Sequence, residues 1–306
     1  MKSNLIIITM LKRIIYGLLL IAASVGVIGL DWFMERRGIP GISGTGEVLK
    51  GVILTVVVLL LILVCYRELS GLVVAAGHPR LGVVGLICTL AIVALPLYQQ
   101  VIMARYSGVN SSSLMILLLT MIVLIVFLEH IIRFRTQGVI ERLSTTMLAI
   151  SYLGVCGAMV LTIRMDFGIV AFTTFLVAVK TADIGAYFTG SLIGKHKLVK
   201  WLSPSKSWEG LLGGVVFSAI STVLFTIIIN LSGQLRSGMP LPDVVIFAAI
   251  LSLFGQVADL CESALKRDAS VKDAGNVVPT FGGVLDILDS PLLAAPVGYV
   301  LLMILW

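Results

Sequence analysis

Runs of about 20 apolar residues follow one another along this whole chain and leave it few ways to fold. Stretches such as "VILTVVVLLLILVCY" and "LLAAPVGYVLLMILW" carry no charge. Inside a bilayer no water is available to the backbone, so such a run must satisfy its own N–H and C=O groups as a helix. Composition agrees: 58% of the 306 residues are hydrophobic and 12% are charged, against about a quarter charged in soluble domains. The expected fold is an all-α, polytopic integral membrane protein.

Hydropathy places nine transmembrane helices, at about 14–34, 50–66, 82–101, 113–132, 145–163, 167–190, 210–231, 243–265 and 288–306. Lys12 and Arg13 before "IIYGLLLIAASVGVIGL" read as the flank of an uncleaved first helix rather than a signal peptide. Basic residues gather on alternate connections: the N-terminus, 67–80, 133–142, 191–209 and 266–287. The other set holds Arg36, Arg37, Lys50, Arg105, Arg164 and Arg236, diluted by Asp31, Glu35, Glu47, Asp166 and Asp243. The positive-inside rule then puts the N-terminus in the cytoplasm and the C-terminus outside. The net charge of +6 is thereby assigned to membrane topology and anionic headgroups, not to nucleic acid. Cys65, Cys88, Cys156 and Cys261 lie in or beside apolar runs and are expected to be buried thiols. His78, His130 and His196 show no ligand spacing and read as surface or interface histidines.

No internal repeat is visible, but the two parts differ in character. Residues 1–165 are almost purely apolar helices and read as a scaffold; residues 166–306 crowd polar and small residues together and read as the catalytic region. Three clusters there all fall on the expected cytoplasmic side. In "VKTADIGAYFTGSLIGKHKL", Lys180 and Asp183 stand three apart on one helical face and are expected to pair, either as a helix lock or as part of a site. Gly190 and Gly194 have the spacing of helix-packing residues. In "WLSPSKSWEG", Ser203 or Ser205 is placed to cap the next helix, with Glu209 in its first turn and Trp208 at the interface. The same loop offers hydroxyls, amides and Lys206 to an anion.

The third cluster is "ADLCESALKRDASVKDAGNVVPTFGGVLDILDS". Asp259, Glu262, Ser263 and Lys266 form one stripe along a helix; Arg267, Lys272 and Asp273 follow, and Asp286 and Asp289 come one turn apart on the next helix. Carboxylates converging at helix ends repel one another unless a cation joins them. Oxygen ligands without thiolate or imidazole favour Mg²⁺, which suits phosphoryl or nucleotidyl chemistry. The plain alternative is a solvated loop near headgroups.

These segments resemble phosphatidate cytidylyltransferases, also called CDP-diacylglycerol synthases. "SPSKSWEG" is similar to that family's S-P-K-K-T-W-E-G loop, and the third cluster to its C-terminal D-L-x-E-S-x-x-K-R signature ending in G-G-x-L-D-R-x-D-S. The resemblance implies transfer of a cytidylyl group from CTP to phosphatidate, giving CDP-diacylglycerol and pyrophosphate, in the plasma (inner) membrane. It implies Asp259, Asp286 and Asp289 as catalytic metal ligands for Mg²⁺, with K⁺ beside it. Lys180, Asp183, Ser203, Lys206, Trp208, Glu209, Glu262, Ser263, Lys266, Arg267, Lys272 and Asp273 become candidate substrate-binding residues. Departures from the family pattern are Phe281 for histidine, Ile287 for arginine and Ser205 for lysine. The rival readings are a CTP-dependent polyprenol or phytol kinase, an ether-lipid cytidylyltransferase, and a non-enzymatic transporter using its intramembrane charges. Monomer and homodimer both stay open.

Overall fold

The computed structural model describes residues 2–37, 50–105, 111–233, 237–279 and 282–306; Phe281 lies outside these. The elements are α1 (Lys2–Arg37), α2 (Val52–Ala75), α3 (Val83–Arg105), α4 (Ser111–Phe134), α5 (Val139–Ala149), a π-helical turn (Ile150–Val155), α6 (Cys156–Ile193), strands β1 (Lys197–Val199) and β2 (Ser203–Ser207), α7 (Trp208–Leu231), α8 (Leu241–Asp268) and α9 (Leu285–Leu305). The chain is thus an all-α, multi-pass membrane protein apart from one two-stranded antiparallel hairpin.

Among the described residues, eight helical segments are long and apolar enough to cross a membrane. One of them, Val139–Ile193, has 55 residues, which at 1.5 Å per residue is about 80 Å, far beyond a hydrocarbon core of about 30 Å. Gly168 interrupts it with φ 83° and ψ −175°, a backbone conformation that only glycine holds without strain. The fifth and sixth expected spans, 145–163 and 167–190, lie on this segment at either side of the break.

The chain divides into two compact units. One is Met1–Gly154 with Val271–Ile287; the other is Val155–Ser270 with Leu288–Trp306. This division follows contacts, whereas the 1–165 and 166–306 partition follows polarity.

In the first unit, buried polar groups tie helix ends to neighbouring helices. Asp31 on α1 is 2% exposed and accepts from Leu54 N–H at the start of α2, at 3.3 Å. The Tyr66 hydroxyl donates to the Gly82 carbonyl at 2.7 Å, fastening α2 to the connection before α3. The expected second span stopped at residue 66, but α2 continues to Ala75 and carries Arg67 and Glu68 within the helix. His130 is buried rather than superficial, its ring tilted against Phe134 at 5.5 Å between centroids.

In the second unit, α6 and α7 meet along small residues. A Cβ added to Gly185 would fall 2.4 Å from Phe217 Cβ, and one on Gly213 would fall 2.1 Å from Thr189 Oγ1. On Gly210 it would fall 3.0 Å from the Ala186 carbonyl, and on Gly214 it would fall 2.9 Å from the Ala182 carbonyl. Such close backbone approach is how apolar helices gain contact when lipid is as apolar as their side chains. The expected packing roles of Gly190 and Gly194 hold: each faces Ser207 Oγ, and Gly190 also faces Gly210. The Ser218 hydroxyl adds polar adhesion, 2.7 Å from the Ala178 carbonyl on α6 and 3.4 Å from the Ala248 carbonyl on α8.

Two expectations need correction here. Arg164 is fully buried within α6 and is not a loop residue. Cys65, Cys88 and Cys156 are buried, but Cys261 is exposed on α8, next to the buried Glu262.

Candidate active site

The site in the second unit is assembled from α6, the hairpin, α8 and the part of α9 that follows Ile287. The hairpin pairs Lys197 with Ser207 and Val199 with Ser203, so the polar loop is strand where a cap was expected. The helix therefore starts later, and Ser207 is its cap, accepting from Gly210 N–H at 3.1 Å. Ser207→Ala should lower thermal stability by about 1 kcal/mol, read as a shift in melting temperature. Ser203 is buried with its hydroxyl 3.4 Å from that of Ser205. Glu209 reaches back to the α6–β1 connection: it accepts from Lys195 and His196 N–H at 3.2 Å and meets His196 Nδ1 at 2.6 Å. Trp208 is exposed.

Lys206 leaves the hairpin and crosses to α8. Its ammonium donates to Asp259 Oδ2 at 2.7 Å and to the Gln256 carbonyl at 3.1 Å. Arg267 Nε donates to the Leu202 carbonyl at 3.3 Å, a second tie between α8 and the hairpin. The other face of Asp259 meets α9: Ser290 Oγ lies 2.7 Å from Asp259 Oδ1 and 3.3 Å from Asp289 Oδ1. One hydroxyl has one proton, so it can donate to only one of those oxygens. Asp289 is 4% exposed and accepts Ser290 N–H at 2.7 Å. Lys180 and Asp183 pair as expected, at 3.3 Å, and Lys180 lies in the field of Asp259 and Asp289. Asp289 in turn feels Asp259, Glu262 and Asp183.

The expected stripe on α8 is therefore present, with an internal arrangement the spacing alone did not give. Lys266 is paired with the buried Glu262, and Asp259 is paired with Lys206 from 53 residues away. Ser263 is half-buried, and Lys272 and Asp273 are exposed. Asp286 stands three residues before Asp289 on α9, within the first unit. Its carboxylate accepts from Ala274 N–H at 3.0 Å and Gly283 N–H at 2.6 Å, which organises the loop before the helix.

Among the described residues, no three His, Cys, Asp or Glu side chains gather as a ready-made metal cage. A hard divalent cation is nonetheless compatible with what is there. Asp259 and Asp289 are oxygen donors converging on one hydroxyl, and Asp183 Oδ1 is buried without a hydrogen-bond partner. Mg²⁺ needs only one or two carboxylates when waters and substrate phosphates complete its shell. The residues fit the ion.

Sequence reasoning missed two residues, Ser290 beside these acids and Glu68 in the first unit. Ser290 was read only as part of a motif, although it joins Asp259 to Asp289. Glu68 was assigned to a loop. The available signal for Glu68 was a lone carboxylate inside the apolar run "VCYRELSGLVV".

A 267-residue alignment relates the chain to a phosphatidate cytidylyltransferase of Bacillus subtilis at 30% identity, covering 84% of this chain and 96% of that one. The enzyme of the same name from Staphylococcus saprophyticus is 36% identical over 156 residues, 51% of this chain and 57% of its own length. That from Staphylococcus haemolyticus is 42% identical over 130 residues, 42% of this chain and 46% of its own length. The profile of the Cytidylyltransferase family matches residues 41–305, nearly all of the spans and every acid and lysine just described, and the chain belongs to that family.

Proposed function

We propose that this protein transfers a cytidylyl group from CTP to phosphatidate, releasing pyrophosphate and forming CDP-diacylglycerol. The observation that carries this reading is the cluster of Lys180, Asp183, Lys206, Asp259, Asp289 and Ser290 in a chain that matches the cytidylyltransferase family over residues 41–305. A transporter would have no need of the family's reaction, and the alcohol nucleophile of a polyprenol kinase would need a base that no described residue supplies in an obvious position.

In the proposed reaction a phosphate oxygen of phosphatidate attacks the α-phosphorus of CTP. A new P–O bond forms, the bond from the α-phosphorus to the bridging oxygen breaks, and the electron pair leaves with pyrophosphate. The attacking phosphate is already an anion, so no protein nucleophile is required; positioning and charge stabilisation carry the catalysis. Asp259 and Asp289, with Asp183 beside them, would hold Mg²⁺. When bound, the ion would supply positive charge to offset that of the triphosphate and of the leaving pyrophosphate. Lys206 is fixed at one end of the cluster by Asp259 and the Gln256 carbonyl, so its remaining N–H is aimed before substrate arrives. Lys180, Lys266 and Arg267 supply further positive charge, with Lys272 on the exposed loop as a phosphate contact. K⁺ is a proposed companion ion. The clustering of basic residues on alternate connections supports a cytoplasmic site with the N-terminus inside and the C-terminus outside.

Purified protein supplied with labelled CTP, Mg²⁺ and dioleoyl phosphatidate should form CDP-diacylglycerol and pyrophosphate in equal amounts. Label found instead on a polyprenol, or no transfer from CTP at all, would overturn the reading. Lys206→Met removes a charge-assisted bond to Asp259, and kcat/KM should fall about 10- to 100-fold.

A further inference from the structure

One buried carboxylate outside the acidic cluster has no role in the reaction as proposed. Glu68 on α2 is 7% exposed. Its Oε1 accepts from Val284 N–H at 3.0 Å and its Oε2 from Leu285 N–H at 2.8 Å. These two amides open α9, whose sequence "GGVLDILDS" offers no Ser, Thr, Asn or Asp at the position where a local cap would stand. The first amides of a helix lack intrahelical partners and carry partial positive charge, so an anion from another helix serves in place of the missing cap.

The fit of this carboxylate is close. A Cβ on Gly275 would sit 2.5 Å from Glu68 Oε1, and one on Gly283 would sit 2.6 Å from Glu68 Oε2. Two glycines therefore make the space into which Glu68 reaches. Next to it, Asp286 accepts from Ala274 and Gly283 N–H, and Val278 and Gly282 exchange backbone bonds at 2.8 and 3.0 Å. The loop carrying Lys272 and Asp273 is thus held at its return by two carboxylates, one local and one from more than 200 residues earlier.

We infer that Glu68 is a positioning residue: it fixes the start of α9 and the described loop residues that close on it, Gly275 and Gly283, and so sets where Asp286 and Lys272 are presented. The kinetic part of this inference rests on the proposed cytidylyl transfer; the structural part does not. A residue from the part of the chain expected to be scaffold thereby holds the segment that carries Asp286 and Lys272, within the first unit.

The test uses the full-length protein in lipid nanodiscs and compares Glu68→Gln and Glu68→Asp with Ser70→Ala. Ser70 is the control, since its hydroxyl accepts from Leu81 N–H at 3.3 Å on the same helix and is equally buried. Glu68→Gln keeps the shape but turns an NH₂ group toward a backbone N–H. Amide exchange in peptides spanning 282–286 should quicken about tenfold, and kcat per folded molecule should fall by about the same factor with little change in KM for CTP. Ser70→Ala should lower the melting temperature and leave kcat per folded molecule unchanged. Glu68→Asp keeps the charge but is one methylene short, and should fall between wild type and Gln; it carries the test if the Gln variant does not accumulate. Wild-type exchange or wild-type kcat in the Glu68 variants overturns the inference. A wild-type protein without transfer activity would instead sink the proposed reaction, and the exchange measurement would still decide whether Glu68 holds the loop.

Discussion

Asp289→Asn is expected to lose at least about a hundredfold in kcat while the protein still inserts, purifies and melts near the wild-type temperature. The substitution is informative because it changes so little else. Asparagine has nearly the same volume, and its carbonyl oxygen can still accept the Ser290 N–H that Asp289 Oδ1 accepts at 2.7 Å. What disappears is the negative charge beside Asp259. If that charge serves to hold a cation against the CTP phosphates, its loss should appear in turnover at every Mg²⁺ concentration. Asp259→Asn should be at least as severe, because it also leaves Lys206 without the counter-charge it meets at 2.7 Å. Steady-state kinetics on monodisperse protein, over a Mg²⁺ titration, checks both. Turnover within about threefold of wild type in the Asp289 variant would mean that the acidic cluster only holds helices together.

Gly213→Ala should be the most damaging single-methyl change in the helix core. The new Cβ would lie 2.1 Å from Thr189 Oγ1 and 2.3 Å from Thr189 Cβ. A rotamer change moves the hydroxyl but not Cβ, so relief requires α6 and α7 to separate. Overpacking of this kind costs about 1–3 kcal/mol, and here the separation would also strain the neighbouring contacts at Gly210 and Gly214. A thermal melt in a fixed detergent should show the loss. The exchanged pair, Thr189→Gly with Gly213→Ala, gives the new methyl the room that threonine occupied and should recover much of it. An unshifted melt for Gly213→Ala, or no recovery in the pair, would refute the steric account.

What could be read from the sequence was what is local. Helical spacing gave the Lys180–Asp183 pair and the α8 stripe, because residues three and four apart share a face whatever the rest of the chain does. Runs of apolar residues gave the all-α, multi-pass class, whereas the nine expected spans meet eight apolar segments among the described residues, one of them interrupted at Gly168. The pairing of Lys206 with Asp259 and the reach of Glu68 to α9 connect residues 53 and more than 200 positions apart, and no periodicity encodes such contacts. Glu68 was missed for a further reason: ending the second span at residue 66 turned an intramembrane acid into an unremarkable loop residue. The cap was misplaced by four residues or fewer because Ser203, Ser205 and Ser207 are chemically alike, and only the extra strand decides which of them borders the helix.

The small residues between α6 and α7 also bear on the entropy of assembly. In water, glycine inside a helix costs roughly 0.5–1 kcal/mol relative to alanine, because the unfolded backbone has more freedom to lose. A bilayer removes that reference state: a segment in hydrocarbon is helical before it meets a neighbour, since its backbone has nothing else to bond. Gly185, Gly190, Gly210, Gly213 and Gly214 then have almost no conformational freedom left to surrender when the two helices associate, and no side-chain rotamers to freeze. The seam is thermodynamically cheap only while the helices persist apart. A denaturant that melts the helices as well as separating them restores the backbone freedom, so the same glycines that ease assembly in the membrane would oppose refolding from a fully unravelled chain.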